Sequence, residues 1–153
     1  MHSLELKIPP PIFAFLLGIA MWGASSLEPH LAIDATFRWT AAIVLALVGA
    51  MFDVLALLAF RKSRTTIDPL RPQRASTFVA TGVYRVTRNP MYVGLAFFLV
   101  AWAVFLGALW PFVGPVLFVP YVNRFQIEPE ERILAKLFGE DYSRYSAEVR
   151  RWL

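Results

Sequence analysis

Four apolar stretches, separated by polar connections, dominate the pattern along the chain. The first runs over 11–27, with no ionisable residue between Lys7 and Glu28. The second covers 39–60 and is interrupted only by Asp53. The third (90–106) and fourth (108–123) are separated by Gly107 alone, which predicts a tight antiparallel hairpin. None shows the two-residue alternation of a strand, so all four predict helices. Each approaches the ~20 apolar residues that cross a hydrocarbon core about 30 Å thick, the first and fourth at the lower limit. The predicted fold is all-α: a polytopic membrane protein of four transmembrane helices. It forms one domain over 1–153, with a loop over 61–89 and short amphipathic helices in a tail over 124–153. A cleavable signal peptide is the competing reading of the first stretch, because Gly23-Ala24-Ser25 is small enough for a cleavage site. Against it stand a weak n-region, in which Glu5 offsets Lys7, and the apolar stretches downstream.

Composition agrees with this pattern. Of 153 residues, 58% are hydrophobic and 17% charged, where a soluble domain carries roughly a quarter as charges. Absence of cysteine excludes disulfides, thiolate metal ligation and a thiol nucleophile. Only two histidines, His2 and His30, argue against an imidazole-rich metal site. The net charge of +4 is a weak pointer to nucleic acid, and its distribution explains it better. Arg61, Lys62, Arg64, Arg71, Arg74, Arg85 and Arg88 lie in the long loop against one acid, Asp68, and six more basic residues follow from Arg124 onward. The first connection holds Arg38 with Glu28 and Asp34. The positive-inside rule therefore places the loop, the tail and both termini in the cytoplasm, as in a multi-pass protein of a bacterial inner membrane. No nucleic-acid partner is expected, and the oligomeric state stays open.

Few polar positions remain to carry chemistry. Asn89 suits an N-cap and Pro90 the first helical position, so the third helix begins with free N–H groups beside Arg85 and Arg88. That arrangement fits either an anion site or a plain cap and membrane anchor. Tyr84 and Tyr92 add aromatic faces, and Gly94 permits close approach of a ligand or a helix. Pro129, Glu130 and Glu131 form a second helix start, with Gly139 as its stop. A further short helix then aligns Tyr142, Tyr145, Val149 and Trp152. Its carboxylates are either a solvated first turn or acceptors for hydroxyl or amino groups. Asp53 is costly within an apolar span, and two roles fit it: contact with a ligand, or pairing with a loop arginine or neighbouring helix. Ala14 and Gly18 form one small-xxx-small face for helix packing. Pro115 and Pro120 interrupt the fourth span.

In their order, these segments resemble the isoprenylcysteine carboxyl methyltransferase family and related phospholipid methyltransferases. The matching residues are Gly82-Val83-Tyr84, Arg88-Asn89-Pro90-Met91-Tyr92 with Gly94, Glu130-Glu131-Arg132-Ile133-Leu134, and Phe138-Gly139 with Tyr142 and Tyr145. The likeness covers about residues 40–153, and Asn89 stands where the family pattern has histidine. It implies S-adenosylmethionine as cofactor, bound around Tyr84, Arg88, Asn89, Pro90, Tyr92, Gly94, Glu130 and Glu131. The catalytic neighbourhood would then hold Arg88 and Asn89, with Asp53 added from its own placement. The implied acceptor is lipophilic: a prenylated or other lipid-like carboxylate, or a lipid headgroup. Methyl transfer of this kind needs alignment and exclusion of water more than proton shuttling.

Two other readings compete. Sterol reductases share a related Arg-His-Pro segment but are much longer. The other is a non-catalytic membrane protein, either a scaffold or a small transporter built around Asp53; a transporter would be expected to show paired repeats or several buried polar positions near mid-membrane, where only Asp53 qualifies.

Overall fold

The computed structural model describes residues 5–27, 29–63 and 78–153. Among them the architecture is all-helical: α1 (Pro10–Ala24), α2 (Ala35–Ser63), a 3-10 turn (Gly82–Arg85), α3 (Pro90–Leu106), a 3-10 turn (Trp110–Phe112), α4 (Val113–Val122), a π-turn (Asn123–Ile127) and α5 (Glu128–Glu148). The single β-type contact is an isolated bridge between His30 and Ala108, which ties the first connection to the α3–α4 turn.

Local chemistry sets the boundaries. Pro10 opens α1, where a missing N–H costs nothing. The hydroxyls of Ser25 and Ser26 donate to the Trp22 and Gly23 carbonyls, so this helix stops at Ala24 rather than at Leu27. α2 starts four residues before its apolar stretch because Asp34 Oδ1 accepts the Phe37 N–H and caps it. Arg61 and Lys62 in its last turn suit the negative end of the dipole. α3 occupies 90–106 as the pattern predicts, and Gly107 ends it at φ 65°.

The fourth span differs from expectation. Pro120 lies inside α4 without ending it, and the helix continues through the π-turn directly into α5. Pro129 therefore sits within a continuous helical run instead of founding a separate one. Gly139, at φ 53°, divides α5 where the sequence places a stop. Beyond Glu148 the chain is extended, so Val149 and Trp152 do not share a helical face with Tyr142 and Tyr145.

α3 is central. α2 packs along one side, α1 and α4 on another. Gly49 and Gly94 face each other across α2 and α3: a Cβ on Gly49 would press on the Gly94 carbonyl oxygen. Ala14, Met21, Leu99, Ala103, Phe118 and Val122 form the core among α1, α3 and α4. α2 is the helix long and apolar enough by itself to cross a membrane, while α1 and α3 are shorter apolar helices of 15 and 17 residues.

Candidate functional site

The beginning of α3, the 3-10 turn before it and the first turn of α5 converge at one end of the bundle. Tyr92, one turn into α3, is buried, and its hydroxyl donates to Glu130 Oε1 at 2.6 Å. Burial pushes the Glu130 carboxyl up to about 8; the Tyr92 bond opposes this and the Glu131 charge adds to it. Among the described residues no basic side chain pairs with Glu130.

Glu131 has the opposite fate. Arg151 grips both its oxygens, with Nη2 2.6 Å from Oε2 and Nε 3.2 Å from Oε1, and Arg88 Nη2 lies 3.3 Å from the same Oε1. Adjacent carboxylates thus diverge, because successive residues on a helix point about 100° apart. One is neutralised by two guanidinium groups, and the other remains available.

The C-terminal residues form a strap across this junction. Arg88 N–H donates to the Arg150 carbonyl at 2.9 Å, Thr87 Oγ1 to the Arg151 carbonyl at 3.0 Å, and Asn89 Nδ2 to that same carbonyl at 2.9 Å. Asn89 therefore does not cap α3 with its side chain, contrary to expectation. Its amide is turned outward to the strap, while Thr87 Oγ1 accepts the Asn89 N–H. Arg88 Nη1 also donates to the Ser146 carbonyl, so both terminal nitrogens face protein groups, while Nε is buried without a partner among the described residues. Arg85 is separate: it lines an exposed cleft with Asp141, Arg144 and Glu148.

Tyr84 is buried in the 3-10 turn, with its ring edge-on to Phe60 and its carbonyl accepting the Tyr145 hydroxyl at 2.7 Å. Burial raises its phenol strongly, and the Tyr145, Glu130 and Asp53 charges add to the effect. Gly94 opens its surface to α2, not to a ligand: Asp53 rests on it, and a Cβ there would overlap Asp53 Oδ1. That oxygen is buried without a hydrogen-bond partner among the described residues. Of the loop arginines, any of which could have paired with Asp53, Arg61, Arg85 and Arg88 do not, and Arg64, Arg71 and Arg74 lie outside the described residues.

The structure thus gathers Tyr84, Arg88, Asn89, Pro90, Tyr92, Glu130 and Glu131 at one junction, with Asp53 behind Gly94. Three contributors were not singled out by sequence, Thr87, Gln126 and Arg151, while Trp152 was expected only on a helical face. Trp152 Nε1 donates to Asn123 Oδ1 at 2.9 Å, fastening the strap to the π-turn. Gln126 is fully buried in that turn, with Nε2 donating to the Ile8 carbonyl at 2.7 Å and Oε1 unpartnered. Only the basic C-terminal end gave a sequence signal for any of these. A π-turn, which often marks a functional position, has no reliable sequence signature.

The bundle of apolar helices thus carries this cluster of acidic and tyrosine side chains at one end. The phospholipid methyltransferase family profile matches residues 37–141, and the chain belongs to that family. Its members transfer methyl groups to lipid-like substrates. An uncharacterized protein of Haemophilus influenzae is 43% identical over 63 residues, which is 41% of this chain and all of that protein. No solved structure matches.

Proposed function

We propose that the protein is an S-adenosylmethionine-dependent methyltransferase of the membrane, acting on a lipophilic acceptor at the cytoplasmic interface. The observation that carries this reading is the Tyr92–Glu130 pair at the head of α3, with a carboxyl that no cation among the described residues claims. Buried acids normally have a partner. Here the unclaimed Glu130 carboxyl and the orphaned Gln126 Oε1, four residues apart on consecutive helical turns, fit a ligand rich in hydroxyl and ammonium donors. S-adenosylmethionine is such a ligand, and when bound it supplies a methyl group already activated on a sulfonium.

The residues of this chain do the rest. Glu130 and Tyr92 accept and align the donors of the cofactor, and the Tyr84 and Tyr92 rings offer faces to positive charge. Arg88 and Arg151 hold Glu131, and Asn89 holds the strap, so the helix starts keep a fixed relation. Arg88, Asn89 and Glu131 thus position the site, Pro90 fixes the start of α3, and Gly94 admits Asp53 to its rear wall. Burial of Tyr84 and Tyr92 excludes water that would compete for the methyl group.

Four spans, with both termini and the loop over 61–89 in the cytoplasm, accompany this reading. Its supports are the basic loop and tail and the outward apolar faces of α1 and α2, including Phe15, Trp22, Trp39 and Leu47. The acceptor then comes from the bilayer and the cofactor from the cytosol. Isothermal titration of the detergent-solubilised full chain with S-adenosylhomocysteine tests the proposal. Saturable binding that is weakened in Glu130→Ala and in Tyr92→Phe is expected. A folded protein that binds neither S-adenosylhomocysteine nor S-adenosylmethionine would refute it.

A further inference from the structure

We propose that the N-terminal segment over residues 5–9 belongs to the cofactor site: it turns the Gln126 amide so that its oxygen meets a donor of the ligand, and it tightens on the π-turn when the ligand binds. This deepens the methyltransferase reading and rests on it. Residues 5–9 precede the match to the family profile, which begins at residue 37.

Proline chemistry prepares the junction. In an α-helix the Phe125 carbonyl would accept the N–H of residue 129, but Pro129 has none and its ring crowds that carbonyl. The helix widens here into the π-turn Asn123–Ile127, and the Leu6 N–H donates to the Phe125 carbonyl at 3.0 Å. Glu5 adds ion pairs with Arg124 at 3.2 Å and with Arg132 at 2.7 Å. Those two arginines bracket Glu130 along the helical run, so the N-terminal segment is fastened to the stretch from which Glu130 projects.

Gln126 carries the link to the ligand. Its side chain is fully buried, and Nε2 donates to the Ile8 carbonyl at 2.7 Å. A carbonyl accepts only from the NH2 end of an amide, so this bond fixes which end of Gln126 turns away from the N-terminal segment. That end is Oε1, buried with no hydrogen-bond partner among the described residues. A buried acceptor left without a donor costs stability. Gln126 lies one helical turn before Glu130, and an ammonium or hydroxyl group of the same ligand supplies the missing donor.

The segment is held under strain. Leu6 sits at φ 55°, the one non-glycine residue among the described residues in the left-handed region. A residue with a Cβ disfavours that conformation and keeps it only where its surroundings impose it. The bonds of Glu5, Leu6 and Ile8 to Arg124, Phe125, Gln126 and Arg132 impose it here. The ligand needs the Gln126 orientation that Ile8 sets, so closing of the segment and binding of the ligand reinforce each other.

The test is hydrogen exchange and titration calorimetry on the full chain in detergent, with S-adenosylhomocysteine as the probe. The amides of residues 6–8 report the segment, since Pro9, Pro10 and Pro11 carry none. Saturating ligand should slow their exchange in wild type. Gln126→Met keeps a similar volume but deletes both polar atoms. It should weaken binding about tenfold and remove that slowing. Leu6→Pro deletes the N–H given to Phe125 and excludes the left-handed φ, with no change at the ligand or in the helix core. It should weaken binding about fivefold, and it decides the matter where Gln126→Met does not fold. Wild-type affinity in Gln126→Met overturns the proposal, since a buried water would then serve Oε1. So does wild-type affinity in Leu6→Pro, or exchange at residues 6–8 that ignores saturating ligand. In each of these cases wild type still binds the cofactor. A wild-type chain that binds neither S-adenosylhomocysteine nor S-adenosylmethionine instead defeats the methyltransferase reading itself.

Discussion

Tyr92 donates its hydroxyl to Glu130 across 38 residues of sequence, while the neighbouring Glu131 is held by Arg151 and Arg88. This division of labour within one carboxylate pair has a titration consequence. The Glu130 carboxyl is raised from 4.5 to about 8 in the folded protein. Between those values the folded state retains a proton that the unfolded state has released. Stability therefore falls as pH rises through that window, and the loss is complete above the folded pKa. In Glu130→Gln, thermal unfolding in detergent should become less pH-dependent over this interval, with a higher midpoint than wild type at the alkaline end.

Binding should follow the opposite slope. A cationic sulfonium ligand favours ionised Glu130, so affinity for S-adenosylmethionine should rise relative to uncharged-sulfur S-adenosylhomocysteine as pH passes about 8. Glu130→Gln should remove this divergence. Tyr92→Phe removes the hydrogen bond that orients Glu130 and should weaken binding by about tenfold, roughly 1.4 kcal/mol. Titration calorimetry at several pH values measures both effects.

The strap depends on Arg151. Arg151→Ala deletes the two-pronged grip on Glu131, a partly exposed interaction of about 1 to 2 kcal/mol. It should lower the unfolding midpoint and accelerate proteolysis at the C-terminus, because the strap then keeps only its bonds through the backbone carbonyls of residues 150 and 151 and the Trp152–Asn123 bond. Asn89→Asp should act in the same direction by setting a carboxylate against the Arg151 carbonyl oxygen, where the amide now donates. Limited proteolysis followed by mass spectrometry reads the release of the strap.

Gly94 should tolerate no side chain. Gly94→Ala sets a methyl group against Asp53 Oδ1 and the Gly49 carbonyl, and overpacking of this kind costs about 1 to 3 kcal/mol. Asp53→Ala in the same chain removes the closer obstacle and should restore part of the loss. The Gly49 backbone contact persists, so full recovery is not expected. Thermal unfolding of the two single variants and the double variant gives the coupling directly.

Topology can be tested cleanly because the chain has no cysteine. Single cysteines at Lys62 and Leu153 should react with an impermeant maleimide only from the cytoplasmic side. Cysteines at Asp34 and Leu109 should react from the opposite side. Same-side labelling of Lys62 and Asp34 would contradict the four-span arrangement.

Much of the helical framework was legible without coordinates. The third apolar stretch coincides with α3, and Gly107 and Gly139 end or bend helices where their positions imply. These are local matters: apolar runs, proline at first turns and glycine at left-handed positions act within a few residues. The helix through Pro120 was not legible. Whether a proline breaks a helix depends on how neighbouring elements meet its unpaired carbonyls. Asn89 also illustrates the limit, since its local preference for capping lost to a carbonyl 62 residues away.

By itself, the sequence determined that this is an all-helical, strongly apolar chain, with its basic residues gathered in one loop and tail. It also determined the segments in which chemistry can reside, because so few polar residues interrupt the apolar runs. Only the tertiary structure decided which carboxylate of the Glu130–Glu131 pair is free, since that depends on Arg151 folding back from the end of the chain. It likewise decided that Gly94 receives Asp53, whereas a Cβ on Gly18 would meet nothing within 4 Å. A glycine can serve contact or space, and only the neighbouring helix distinguishes the two.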